Sequence, residues 1–324
     1  MQRVAVVVPN WNGAALLGNL LGRLRRQTHP IDRIIVVDNG STDDSVTVAR
    51  TAGAETIELD KNTGFSHAVN RGIRSAGSGW IAILNNDVEP KADWLAKLME
   101  RTELSKAWFA TGKLLDAKHR NRLDGAFDAI CRGACAWRCG HGRSDSPIWN
   151  KPREIGFAPF TAALFRWELF QEVGLLDEDF ESYLEDIDFG IRCAAAGRQG
   201  IYVPEAVAYH QGSATLGRWH PETVRKIARN QLLLVAKHYP RQWIIRYGWP
   251  VFVAQGLWGI VALRHGAAVA YLRGKSEGIR RFRSARGKSP ANLTAIVERS
   301  EREIRELQRL TGFDLYWKLY FALT

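Results

Sequence analysis

Three apolar runs in the first ninety residues stop at polar side chains: "VVVPNWN", "IIVVDNGSTDDS" and "IAILNNDVEP". Any turn residue can end a strand, so these endings raise the question of what chemistry they serve. Asp87 follows the amides Asn85 and Asn86. A carboxylate in that company is a hard-oxygen ligand for Mg²⁺ or Mn²⁺, cations that take few protein ligands and complete their shell from water and phosphate. Asp38 follows "IIVV" and can accept a hydrogen bond from a nucleobase imide N–H or bond a ribose. Taken singly, each acid also reads as an ordinary turn or cap residue.

The elements around them suggest how they are positioned. "VAVVVP" is a buried strand closed by a proline, and "AALLGNLLGRLRRQ" carries leucines at helical spacing. "RIIVVD" is a second strand, after which Ser41 or Thr42 is placed to cap the helix "DDSVTVARTAG". "ETIEL", "GFSHAVNRGIRSAG", "GWIAILNND" and "DWLAKLMERTE" continue as strand, helix, strand, helix. Strands alternating with helices through short loops predict an α/β fold with a mostly parallel, doubly wound sheet flanked by helices. Such sheets bind ligands beyond the carboxyl ends of their strands. Pro9, Asn10 and Asn12, then Asp38 and Asn39, then Asn85, Asn86 and Asp87 all lie at carboxyl ends and are expected on one rim.

From about Gly112 the pattern breaks down. "RNRLDGAFDAICRGACAWRCGHGRSDSPIWNKPREIGF" has no periodicity and reads as a long functional or disordered loop. It holds Cys131, Cys135 and Cys139, whose spacing lacks the paired CxxC knuckles of common zinc sites, so they read as thiols in a reducing compartment. Its arginines, Arg132, Arg138 and Arg143, read either as a phosphate site or as surface charge, and Trp137 and Trp149 either as sugar platforms or as packing. "FTAALFRWELFQEVG" resumes as strand and helix, "FESYLEDIDFGIRCAAAG" reads as a helix with an acidic first half, and "GIYVPEAVAYH" as a strand ending at His210.

The chain has 324 residues with a net charge of +11, which suits an anionic partner. The start, "MQRVAVVVPNWN", enters a strand directly, so the expectation is a cytoplasmic protein without a signal peptide. Residues 1–220 are expected to form the catalytic domain and 221–324 a helical region. Within the latter, "QWIIRYGWPVFVAQGLWGIVAL" is uncharged from Arg246 to Arg264 but interrupted by Gly248, Pro250, Gly256 and Gly259. Arginines and lysines crowd beside it, as in a helix lying in the interface of an anionic membrane. The expected location is therefore peripheral, on the inner face of the cytoplasmic membrane.

The order and spacing of "VVVPNWN", "IIVVDNGSTDDS", "NTGFSHAVNRGI", "LNNDVEP" and "YLEDIDFGIR…H" resemble the family 2 glycosyltransferases of GT-A fold, rhamnosyltransferase-like bacterial branch, over about Val4 to Gly217. The resemblance implies a nucleotide-diphosphate sugar donor and a saccharide or polyprenyl-linked acceptor in cell-surface polysaccharide assembly. It implies that Pro9, Asn10, Asn12, Asp38, Asn39, Gly64, Asn85 and Asn86 hold the donor, and that Asp87 and His210 hold Mg²⁺ or Mn²⁺. The family's acidic DxD element is Asn85-Asn86-Asp87 here, which leaves Asp87 as its one anionic ligand. Glu185-Asp186 matches the family's acidic pair, with Asp186 as catalytic base and Glu185 orienting the acceptor. Inverting sugar transfer needs a carboxylate to take the acceptor proton and a cationic group to stabilise the leaving diphosphate. Asp188 reads as structural, pairing with Arg192. Lys61, Asn62 and Arg71 are lesser phosphate candidates. The competing classes are a nucleotidyltransferase on a similar sheet and a non-catalytic membrane-binding protein. A dinucleotide-dependent dehydrogenase is disfavoured because "PNWNGAALLG" lacks the GxGxxG fingerprint, and no nucleic-acid module is recognisable.

Overall fold

The computed structural model describes residues 3–77, 79–212 and 219–324. The limit of the resemblance at Gly217 lies outside the described residues. The first half runs β1 (Val4–Asn10), α1 (Ala14–Leu24), β2 (Arg33–Asp38), α2 (Ser45–Thr51), β3 (Glu55–Glu58), α3 (Phe65–Ala76), β4 (Trp80–Leu84), β5 (Val88–Pro90), α4 (Trp94–Ser105) and β6 (Phe109–Asp116). Short strands follow: β7 (Leu123–Gly125), β8 (Asp128–Ile130), β9 (Ala136–Arg138) and β10 (Arg153–Ile155). Then come β11 (Ala162–Arg166), α5 (Trp167–Val173), α6 (Glu185–Ala195) and β12 (Gly200–His210). The helices α7 (Pro221–His238), α8 (Trp243–Arg264), α9 (Ala268–Arg281), α10 (Leu293–Thr311) and α11 (Leu315–Leu323) complete the chain.

The main path of the sheet is β10-β12-β6-β11-β4-β1-β2-β3. β3, β2, β1, β4, β6 and β12 run one way, and β11 runs against its neighbours β4 and β6. Alternate side chains of β1 feed two cores. Ala5 and Val7 pack with α3 residues Ala68, Val69 and Ile73, while Val4, Val6 and Val8 pack with Leu17, Leu20 and Leu21 of α1 and Trp94 of α4. That two-sided burial explains the unbroken apolar runs of the strands.

Four local readings differ from the structure. The segment 117–157 is not a loose loop: β7 to β10 order it, and Trp149 is 1% exposed in the core. Strands of three residues are too short to show a period in the sequence. Neither Ser41 nor Thr42 caps α2. Asp43 accepts from the Ser45 amide at 3.1 Å instead, while Ser41 turns back to Asp38. The helix containing Glu185 begins only there, because Glu181, Tyr183 and Leu184 sit at φ +58°, +71° and +67°. Finally, α8 continues through Pro250. A proline inside a helix costs roughly 3 kcal/mol. Burial of Tyr247, Val251, Val253 and Ala254 against the body of the protein holds the helix together.

Candidate active site

β1 and β2 are paired so that Asn10 lies beside Asp38 at the carboxyl rim. Both side chains are buried, at 3% and 2% exposure. Asn10 donates to Asp38 Oδ1 at 3.1 Å and accepts from Asn86 Nδ2 at 2.7 Å. Ser41 donates its hydroxyl and amide to Asp38 at 2.6 and 2.9 Å and accepts the Asn12 amide at 2.8 Å. One polar chain therefore crosses the ends of β4, β1 and β2. Pro9 lies within β1, paired with Val37.

The neighbouring loop is fixed by Asn39. Its amide donates to Asn62 Oδ1 and the Gly64 carbonyl at 3.2 and 3.1 Å, and its oxygen accepts the Thr63 amide at 2.9 Å. Gly40 is required at φ +73°, since a Cβ there would lie 2.5 Å from the Lys61 Cα. Gly64, at φ +92°, packs on the backbone of Glu181 and so links the 61–64 loop to the turn before α6.

β5 runs antiparallel to β12 with Val88 opposite His210, which brings His210 beside Asp87. His210 Nε2 lies 3.2 Å from Asp87 Oδ1, and Nδ1 lies 2.8 Å from Asp124 Oδ2. Burial lowers the affinity of the imidazole for a proton, but the bonds to Asp124 and Asp87 outweigh it and raise its pKa to about 9. Burial likewise opposes ionisation of Asp124, and the bond to His210 outweighs that, holding its pKa at about 2. No group of three His, Cys, Asp or Glu side chains converges as a metal cage among the described residues. The pair nevertheless suits a divalent cation that keeps water and phosphate ligands. Two ligands about 2.1 Å from an octahedral ion, at right angles, lie about 3.0 Å apart. Asp124 on Nδ1 is the usual arrangement behind a ligating histidine, and an ion at Nε2 would displace the proton that the raised pKa keeps there at neutral pH.

Arg138 of β9 extends the rim. Its Nε donates to Asp128 Oδ1 at 2.7 Å, and its Nη atoms lie 3.3 Å from Thr161 Oγ1, 3.8 Å from Asp124 and 3.9 Å from Asp186. Burial, then the charge of Asp128, push the Asp186 carboxyl up to about 7, against the pull of Arg138. Glu185 is pushed well above the usual carboxylate range, first by burial and then by Asp186. Its Oε2 and the Asn85 Oδ1 are buried with no hydrogen-bond partner. Buried oxygens are nearly always bonded, so these two are suited to receive a ligand.

Helix α7 supports the acids from behind. Asn230, fully buried, donates to the carbonyls of Phe180, Ser182 and Tyr183 at 2.9, 2.9 and 2.7 Å. Arg229 donates to the Phe180 carbonyl at 2.9 Å and pairs with Glu181 at 2.5 Å. These bonds hold the turn whose positive φ angles deliver Glu185 and Asp186. Asp188 faces away from the rim, at 2.8 Å from Arg192 and 2.7 Å from both Lys237 and His238.

Every residue expected at the donor, metal and base positions lies on this rim or in the loops fixed to it. Asp124, Asp128, Arg138, Arg229 and Asn230 were not singled out for these roles by the sequence. Of the other candidates, Arg132 pairs with Glu301 and Arg143 with Asp314. Trp137 packs on Trp317 in the core. The four cysteines are buried, free thiols.

The family model for glycosyl transferase family 2 matches residues 5–174, and that for glycosyl transferase family group 2 matches residues 145–272. Among known proteins the chain is similar to the N-acetylglucosaminyl-diphospho-decaprenol L-rhamnosyltransferase of Mycobacterium tuberculosis. The two are 24% identical over 241 residues, which cover 66% of this chain and 77% of that one. Its fold matches GalNAc-T7, solved with UDP, GalNAc and Mn²⁺, at a TM-score of 0.63 and 14% identity; the match covers 97% of this chain and 58% of that one. It also matches the mannosyltransferase PcManGT of Pyrobaculum calidifontis, solved with GDP-Man and Mn²⁺, at a TM-score of 0.54 and 17% identity, over 99% of this chain and 86% of that one. The architecture is the GT-A fold, and the chain belongs to glycosyl transferase family 2.

Proposed function

We propose that the protein is an inverting, metal-dependent hexosyltransferase. It takes a sugar, rhamnose by likeness to its relative, from a nucleotide-diphosphate donor. It delivers the sugar to a saccharide or polyprenyl-linked saccharide at the cytoplasmic face of a membrane, in cell-surface polysaccharide assembly. Residues 1–220 carry the transfer chemistry and 221–324 form the helical, membrane-facing region. The observation that carries this reading is the unbroken rim from Asp38 through Asn10 and Asn86 to Asp87, His210, Asp124, Arg138 and Asp186.

Each part of the rim has one task. Asp38 and Asn10, with Pro9, Asn12, Asn39, Gly64, Asn85 and Asn86 around them, bind the nucleotide end of the donor. Asp87 and His210 are the residues that would hold Mn²⁺ or Mg²⁺, which when bound neutralises charge developing on the diphosphate. Asp186 accepts the proton of the attacking acceptor hydroxyl, and a pKa near 7 suits it to take a proton at neutral pH. Glu185, with its unpartnered Oε2, orients that hydroxyl.

The test is a transfer assay with Mn²⁺ across UDP-, dTDP- and GDP-sugars, with product stereochemistry read by NMR. The expected result is turnover of one donor class with inversion at the anomeric carbon. Retention of configuration, or no turnover and no donor binding by calorimetry, would overturn the reading.

A further inference from the structure

Among the described residues, every exposed large apolar side chain except Leu104 lies between Ile244 and Leu323. Ile245, Trp249, Phe252, Ile260 and Leu263 recur at helical spacing along α8, with Trp249 57% and Phe252 70% exposed. Val269, Leu272 and Ile279 do the same on α9, which packs beside α8. On the other flank, Leu315, Leu319 and Leu323 lie one turn apart on α11. The Trp249 indole donates to the Leu323 carbonyl at 2.7 Å, so α8 and α11 share one surface.

Along α8 and α9 the charge beside this surface has one sign, while the acid flanking α11, Asp314, is paired with Arg143. Between Ile244 and Lys288 the one acid is Glu277, and it is paired with Arg225. Arg264, Arg273, Arg280, Arg283 and Lys288 are exposed. A second copy of the same face would set these cations against each other without carboxylates to meet them. An anionic lipid surface supplies both the apolar layer and the countercharge. No helix among the described residues is long and apolar enough to cross a membrane. The inner side of α8 is already committed, with Tyr247, Val251 and Ala254 packed on the protein.

We propose that the outward faces of α8, α9 and α11 form one plate that lies flat on an anionic bilayer, with α8 parallel to the surface. The plate deepens the lipid-linked acceptor reading and depends on it only for purpose. Binding to lipid is a property of the surface itself.

Flotation of the full chain with vesicles tests it, using phosphatidylcholine alone or mixed with phosphatidylglycerol. The wild type is expected to float with the anionic vesicles and to lose binding as salt rises. Trp249→Ser with Phe252→Ser should lower partitioning at least tenfold while leaving the melting temperature and donor binding in place. Each of Arg273→Gln and Arg280→Gln should lower it about five-fold, the equivalent of ~1 kcal/mol per basic residue at the lipid surface. Variants that float like the wild type would overturn the proposal. A stable dimer by light scattering that the Trp249/Phe252 pair dissociates would also overturn it, since the plate would then be a protein interface. Transfer to a soluble acceptor by a chain that ignores vesicles would sink the plate and leave the transfer reading standing. Vesicle binding without sugar transfer would support the plate and count against the transfer reading.

Discussion

In the proposed role as base, Asp186 takes a proton only when deprotonated, so its environment would set the acid limb of the rate. With the carboxyl raised to about 7 by burial and by Asp128, activity should fall as pH drops through about 7. Asp128→Asn removes the negative neighbour and frees Arg138 to face Asp186, so the inflection should move to lower pH; a pH–rate profile of the two proteins checks the sign. Asp186→Asn should keep donor affinity and lose about 10²-fold or more in transfer, the usual scale for a lost general base. At the proposed metal position, Asp124→Asn weakens the hold on His210 Nδ1. It should raise the Mn²⁺ concentration needed for half-maximal activity about 10- to 100-fold, as loss of such outer partners commonly does. At this scale Asp38, Asp87, Asp186 and His210 were legible because each ends a patterned run or lies in a dense acidic cluster. Asp124 and Asp128 were not, and Arg138 stood out only as one of three arginines open to a phosphate or a surface reading. They sit in or beside strands of three residues, where neither alternation nor a turn signal marks which side chain points inward.

A strained turn needs a support that over-determines it, and between Phe180 and Leu184 that support comes from α7. Removing the Asn230 amide leaves the carbonyls of Ser182 and Tyr183 without that donor and lets the turn relax toward ordinary φ. Asn230→Leu should therefore lower kcat by an order of magnitude or more, with a smaller rise in the donor KM passed on through the contact of Gly64 with Glu181, since Asn39 still holds the 62–64 loop. A rise in donor KM of the same size would assign Asn230 to the donor side. Asp188→Asn has a different signature. It strands Arg192, Lys237 and His238 around a neutral group and should cost about 3 kcal/mol in urea unfolding. Burial opposes ionisation of Asp188, but Arg192 and His238 hold its pKa below the ordinary carboxylate range. The stability it adds is thus present above that range and lost as pH falls below it. Residues 221–324 read as helical from the sequence, and neither Arg229 nor Asn230 stood out there. Nothing local distinguishes a polar residue that meets water from one that meets a carbonyl of a turn fifty residues away.

Helices α8, α10 and α11 share one core with the sheet. Val253, Ala254, Ile304, Leu307, Trp317 and Tyr320 pack in the same cluster as Ala129, Cys131 and Trp137. Ser300 accepts the Ile130 amide at 2.8 Å, and Glu301 accepts the Arg132 amide at 2.7 Å. A chain ending at residue 220 should therefore fail to unfold cooperatively, as followed by circular dichroism against urea. The alternating strands and helices of the first half were legible because burial on both sheet faces writes continuous apolar runs. The seating of α10 and α11 on the 117–157 segment was not, since it depends on contacts between residues about 170 positions apart. In the proposed function one rim serves nucleotide, cation and base. Crystals soaked with the turned-over nucleotide diphosphate and Mn²⁺ test that most directly. The account predicts an anomalous peak bonded to both Asp87 Oδ1 and His210 Nε2, with the base of the nucleotide against Asp38. Manganese or nucleotide seated away from these three side chains would contradict it.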